Sequence, residues 1–200
     1  MHKYQNIILA SNSCTRYKML KNANIHVKAI NPNVDELFIK RQCEKDKTPI
    51  IRIAGILAKH KAISVNYNNR DSMVIGCDQT LIFKNKILSK IHNKKETIER
   101  LCLLNNNQHT LLTTCVIYHQ NEMIWETTST ARLEMRNNSN DYIKEYVDRN
   151  YNEIVNSPGC YMIEKEGVRL FKYIEGDYFS ILGMPLVEIL NFFNSNGNIK

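Results

Sequence analysis

Residues 109–119, "HTLLTTCVIYH", and 123–136, "MIWETTSTARLEMR", constrain the fold of this chain most. Both are long, apolar and rich in Thr, and only the polar stretch "QNE" (120–122) separates them. Such a pair reads as an antiparallel hairpin. The rest of the chain has a different rhythm, in which strands alternate with helices. "NIILA" (6–10) and "IHVKAI" (25–30) read as strands around a helix at "TRYKMLKNA" (15–23). A loop follows at "NPNVDE" (31–36), and Thr48 and Pro49 place a cap and a first-turn proline before a helix of about 50–65. "SMVIGCDQTLIF" (72–83) is again strand, ending in a turn at 84–86. Helices are expected at 94–104, at 139–150 and after Pro185, with strands near 160–164 and 168–174. Crossover units and a long hairpin together exclude a purely parallel sheet. The expected fold is α/β, a mixed twisted sheet flanked by helices.

No repeat and no Gly/Ser/Pro linker interrupts the 200 residues, of which 43% are hydrophobic. That is enough for one domain, 1–200, with its own core. No apolar run approaches 18 residues, so no membrane span is expected. The start, "MHKYQNIILA", lacks the long apolar region of a secretory leader, and a cytoplasmic protein is the default. Six cysteines (14, 43, 77, 102, 115, 160) form no C-x-x-C and read as reduced thiols, mostly in the core. The net charge of +7 would suit an anionic partner, but Lys and Arg are dispersed and no basic arm appears. No nucleic-acid surface is expected.

One residue resists a purely structural reading. Asp78 sits inside the apolar strand "VIGCDQTLIF" (74–83), where a dry, unpaired carboxylate costs several kcal/mol. Common phosphate cradles, zinc-protease motifs and the G-x-S-x-G elbow are all absent. Other groups have chemistry that fits Asp78. The first strand runs into "ASNSCTR" (10–16), where a helix start, Ser11, Ser13 and the forked cation Arg16 suit phosphate oxygens. On the helix of about 50–65, Ile50, Ile53, Ala54 and Leu57 make one stripe, and Lys61 falls on it while Lys59 and His60 do not. A lysine on a packed face calls for an anionic partner or a wet cleft. Glu36 in the "VDE" loop and Lys90 after the short hairpin complete a set suited to a divalent metal on a polyphosphate.

Taken in order, these segments resemble the Maf family of nucleoside triphosphate pyrophosphatases along almost the full length. The resemblance rests on "LASNSCTR" (9–16), "NVDE" (33–36), "LAKHKA" (57–62), "GCDQT" (76–80), "HTLLT" (109–113), "GCYMIE" (159–164) and, most distinctive, "IEGDYFSILGMP" (174–185). It implies a Maf/ITPase-like fold with an active-site cleft between two lobes. It also implies a homodimer and cleavage of a nucleoside triphosphate to monophosphate and pyrophosphate with a divalent cation (Mg, Mn or Co). Asp78 matches the proton acceptor for the attacking water, and Glu36 and Lys61 match other catalytic positions, with Asp78 and Glu36 as metal ligands. Ser11, Ser13, Arg16, Gln79, Lys90 and Glu164 match substrate-contacting positions. The chain departs from the family pattern beside Arg16, where Thr15 and Tyr17 stand in place of a second arginine, and at Lys90-Ile91, where K-P is usual.

Asp78-Gln79 together with Glu164 resembles the 7-methyl-GTP branch rather than the dTTP and UTP branch. A carboxylate accepts from both N1–H and N2–H of guanine, whereas uracil and thymine offer one N3–H between two carbonyls. Inosine and xanthosine triphosphates stay open as substrates, and so does a non-enzymatic binding role in cell division.

Overall fold

The computed structural model describes residues 6–155 and 157–196; residues 1–5 of the N-terminal reading lie outside this set. The elements are β1 (Ile7–Ala10), α1 (Cys14–Asn22), β2 (Lys28–Ile30), α2 (Glu36–Lys45), α3 (Ile53–Asn66), β3 (Met73–Phe83) and β4 (Lys86–Leu88). There follow α4 (Lys94–Leu104), β5 (Gln108–His119), β6 (Glu122–Met135), α5 (Asn140–Ile154), β7 (Phe171–Glu175), α6 (Tyr178–Ile181) and α7 (Leu186–Ser195). The strands form one seven-stranded sheet in the order β2-β1-β3-β5-β6-β7, with β4 also paired to β3. Pairings β1–β2 and β1–β3 are parallel, and β3–β4 and β6–β7 antiparallel, so the sheet is mixed, as the sequence pattern implied.

Both hairpins turn on two residues with positive φ: Lys84 and Asn85 (47° and 58°), then Gln120 and Asn121 (50° and 64°). Two successive left-handed residues match the right-handed twist of the flanking strands. Asn tolerates this conformation well because its short side chain bonds locally.

The chain forms two compact units, whose boundaries fall inside β3, β5 and β6. Of the described residues, the first comprises 6–79, 113–129 and 177–196. Its sheet carries two apolar layers. On one side Leu9, Ile75, Cys77 and Ile117 pack with Met184 and Phe193. On the other, Ile8, Ala10 and Val74 pack with Ala58, Ala62 and Val65 of α3. The second unit comprises residues 80–112, 130–155 and 157–176. In it α4 packs on α5, burying Leu101, Leu104, Ile143 and Val147.

Four expectations are corrected. Residues 31–36 are not wholly loop: Asp35 accepts a bond from Phe38 N at 2.9 Å and starts α2 at Glu36. That helix buries only Ile39 and Cys43, while Leu37 and Phe38 stay exposed, so its apolar pattern is hidden. Thr48 does not cap the next helix. Its N–H closes the end of α2 on Cys43 O (2.8 Å), after a left-handed Lys47, and a 3-10 turn at Ile50–Arg52 precedes α3. Residues 160–164 are not a strand. Cys160 has φ 58°, and a 3-10 helix at Glu166–Leu170 delays the last strand to Phe171–Glu175. Finally, β2 is only Lys28–Ile30.

Candidate active site

Strand alternation decides where the side chains of β3 go. Val74 belongs to the layer under α3, and Gly76 and Asp78 follow it on the same face. Gly76 allows the helix to lie close. A Cβ there would sit 2.3 Å from Ala58 O and 2.8 Å from Ala62 Cβ. One turn along the same helix face, Lys61 therefore reaches Asp78, midway along the strand. Its Nζ lies 2.5 Å from Asp78 Oδ1 and 2.7 Å from Glu36 Oε1. The Lys61 and Asp78 side chains are each 9% exposed, while Glu36 opens to solvent at 37%. Lys61 is thus the lysine on a packed face that the helical stripe picked out, and its anionic partners are Asp78 and Glu36. Lys59, off the stripe, pairs with Glu126 at 3.0 Å at the surface.

The segment after β1 is organised by its own hydroxyls. Ser13 caps α1 by accepting from Arg16 N (3.3 Å), and Ser11 Oγ accepts from Ser13 N (3.1 Å). Arg16 folds back rather than out: Nε donates to Gly183 O and Nη1 to Cys77 O, each at 2.8 Å, and Nη1 also approaches Ser11 Oγ at 3.4 Å. Gln79 leaves β3 on the face opposite Asp78. Its Nε2 lies 2.9 Å from Thr113 Oγ1, 2.9 Å from Ser180 O and 3.0 Å from Ile181 O. The motif "IEGDYFSILGMP" supplies the carbonyl acceptors at 180, 181 and 183: Asp177 caps α6 through Ser180 N (2.6 Å), and Gly183 turns with φ 109°. The roles of Thr113 and of the carbonyls at 180, 181 and 183 escape a reading of side-chain chemistry. Only the order of the quoted motifs points to them.

Lys90 and Glu164 belong to the second unit, and both are exposed. The same unit explains two other motif segments. His109 of "HTLLT" bonds through Nε2 to the Tyr161 hydroxyl of "GCYMIE" at 2.7 Å, and Tyr161 meets Phe171 edge-on at 4.7 Å. Burial drives the His109 pKa down to about 4, so the ring is neutral.

A family model described as Maf-like protein matches residues 6–196. The chain belongs to the Maf-like family. Maf-like relatives with recorded names agree over nearly the whole length. A "Nucleoside triphosphate pyrophosphatase" of Ruegeria pomeroyi is 39% identical over 193 residues, 96% of this chain and 97% of the relative. One of Caulobacter vibrioides with the same name is 38% identical over 191 residues, 96% of each. A "7-methyl-GTP pyrophosphatase" of Bartonella quintana is 37% identical over 184 residues, 92% of each.

Among the described residues, no three His, Cys, Asp or Glu side chains gather into a cluster that could hold a metal by themselves. The Asp78–Glu36 pair nevertheless fits a magnesium-type ion, because such ions are held by one or two carboxylates plus substrate phosphates and water. Both carboxylates already converge on one cation, the Lys61 ammonium. Among the described residues, no helix is long and apolar enough to cross a membrane.

Proposed function

We propose that the protein hydrolyses the α–β phosphoanhydride of a nucleoside triphosphate, giving the monophosphate and pyrophosphate, with 7-methyl-GTP as the preferred substrate. The observation that carries this reading is the Glu36–Lys61–Asp78 constellation, a buried lysine shared by a carboxylate midway along a core strand and one at the start of α2. The names of the Maf-like relatives support the reaction, and the Bartonella relative supports the base.

Asp78 is the base: water adds to phosphorus, its proton passes to the Asp78 carboxylate, and pyrophosphate leaves. Asp78 and Glu36 would hold the divalent cation, which supplies charge neutralisation on the phosphate oxygens. Lys61 keeps the two carboxylates together and offsets negative charge that builds up during the attack. Ser11, Ser13 and the first turn of α1 receive phosphate oxygens. Lys90 adds a cation, and Glu164 reads the guanine edge. A homodimer in the cytoplasm completes the reading; the family resemblance supports the first, and six free thiols fit a reducing compartment.

The test is pyrophosphate release from 7-methyl-GTP, GTP, ITP, XTP, UTP and dTTP with Mg, Mn or Co, against a chelator control. The highest kcat/KM is expected on 7-methyl-GTP. A uracil or thymine preference would overturn the base assignment alone. Release from none of the six would favour a binding protein.

A further inference from the structure

We propose that Gln79, together with Arg16, acts as a positioning residue that ties both neighbours of Asp78 to the 177–183 turn, rather than as a nucleotide contact; this rests on the hydrolase reading above. The chemistry of the partners fixes the orientation of the Gln79 amide. Two of its three neighbours are carbonyl oxygens, which only accept, so the NH2 end must face them. Two N–H groups serve three acceptors through a relay. One donates to Ile181 O, and the other to Thr113 Oγ1, whose own hydrogen goes to Ser180 O at 2.9 Å. Ile181 O, at the last residue of α6, is one of the carbonyls a helix end leaves unsatisfied. Thr113 and Ser180 are each 1% exposed, so water does not replace the amide easily.

Arg16 makes the matching tie on the other side of Asp78. Its fork spans Cys77 O and Gly183 O, both at 2.8 Å, and the bend at Gly183 (φ 109°) brings a Cβ position within 3.5 Å of the guanidinium. The residue before Asp78 and the residue after it are therefore bonded to the same short turn. The opposite face of the strand is left for the Asp78 carboxylate, packed against Lys61. A carboxylate held this way needs no reorganisation to meet its water, and a displacement of about 1 Å is worth on the order of 10²-fold in rate.

The experiment compares wild type with Gln79→Met, Thr113→Val and Arg16→Lys, measuring kcat and KM separately on 7-methyl-GTP, GTP and UTP, with amide hydrogen exchange on the same samples. Met keeps the volume of Gln without its donors, and Lys keeps the charge of Arg without its fork. Expected is a fall in kcat of about 10- to 100-fold for Gln79→Met and Arg16→Lys, and less for Thr113→Val. KM should stay within about threefold, and the loss should be the same factor on every base. Exchange at residues 77–80 and 180–183 should quicken while the rest of the chain is unchanged. A shift in base preference of about tenfold or more, or a loss confined to KM, would overturn the proposal by making these residues substrate contacts. Unchanged kcat with only a lower melting temperature would overturn it by making the tie merely structural. A wild type that releases pyrophosphate from no nucleotide overturns the hydrolase reading itself, a result distinct from any of these, and local exchange then reports whether the tie exists without it.

Discussion

At the scale of single residues, Lys61 is the charge that both carboxylates of the proposed site share. Removing it leaves Asp78 buried with no counter-ion and with Glu36 nearby. Lys61→Met should fold, because Met suits the apolar face of α3, but lose about 1–3 kcal/mol in chemical denaturation. Turnover should fall on the order of 10²-fold or more, as when one electrostatic contact to developing charge is removed. A stability loss with full activity would make the lysine a structural counter-ion only. Asp78→Asn preserves shape and keeps Lys61 bonded to Glu36, so the melting curve should move little while turnover drops below a tenth of wild type. Glu164 is exposed in the second unit, and its proposed work is selection. Glu164→Gln replaces two acceptors by one acceptor and one donor group, which suits a pyrimidine better than guanine. A mismatched hydrogen bond costs about 1–3 kcal/mol, so the ratio of kcat/KM for 7-methyl-GTP over UTP should fall roughly 5- to 150-fold. An unchanged ratio would remove Glu164 from the base site.

Elements matter through how closely they approach. The site depends on α3 lying against β3 at a position where β3 has no side chain, Gly76. Ala58 and Ala62 make the facing surface of the helix equally shallow. Gly76→Ala would place a methyl group 2.3 Å from a backbone carbonyl that cannot rotate away, so the helix must shift. The expected loss is about 1–3 kcal/mol from overpacking alone. Activity should fall further than stability, because Lys61 moves with the helix. Urea denaturation alongside steady-state kinetics on the same variant checks this. Equal activity at reduced stability would show that the Lys61–Asp78 bond tolerates the shift. The 177–183 turn is the second element of this kind: it is four residues of helix between a cap and a left-handed glycine, and its carbonyls serve β3.

For the molecule as a whole, acid sensitivity should trace to one buried ring. His109 has its pKa lowered from 6.5 to about 4 by burial, so the folded state excludes a proton that the unfolded state takes up between those values. Stability from this group is present in full above pH 6.5 and is lost as pH falls toward 4. From the Wyman relation, the folded protein should be about 2 kcal/mol less stable at pH 5 than at pH 7.5 on this account. His109→Gln, which can still bond the Tyr161 hydroxyl but does not titrate, should flatten that part of the pH profile. Urea midpoints at the two pH values measure it, and an equally steep profile in the variant would assign the acid sensitivity elsewhere.

Much of the fold follows from local sequence, because hairpin and crossover patterns are short-range signals: the β5–β6 hairpin, the β1–α1–β2 unit and the mixed sheet were all legible. Asp78 and Lys61 were legible too, for one reason: each is a charge on a face that periodicity marks as packed. Where local signals were hidden, the tertiary structure decided. Helix α2 is mostly solvated and leaves Leu37 and Phe38 exposed, so its apolar residues do not mark one packed face, and Asp35 reads as part of a loop although it caps that helix. The strand expected at 160–164 lost to a left-handed Cys160, a backbone state that side-chain pattern does not encode. Arg16 and Gln79 looked like groups for a nucleotide because their donors are suited to one. Only the fold brings the carbonyls of residues 77, 180, 181 and 183 within 3.0 Å of those donors. A backbone carbonyl is the same in every residue, so nothing in its own letter of the sequence can announce which one a distant side chain will hold.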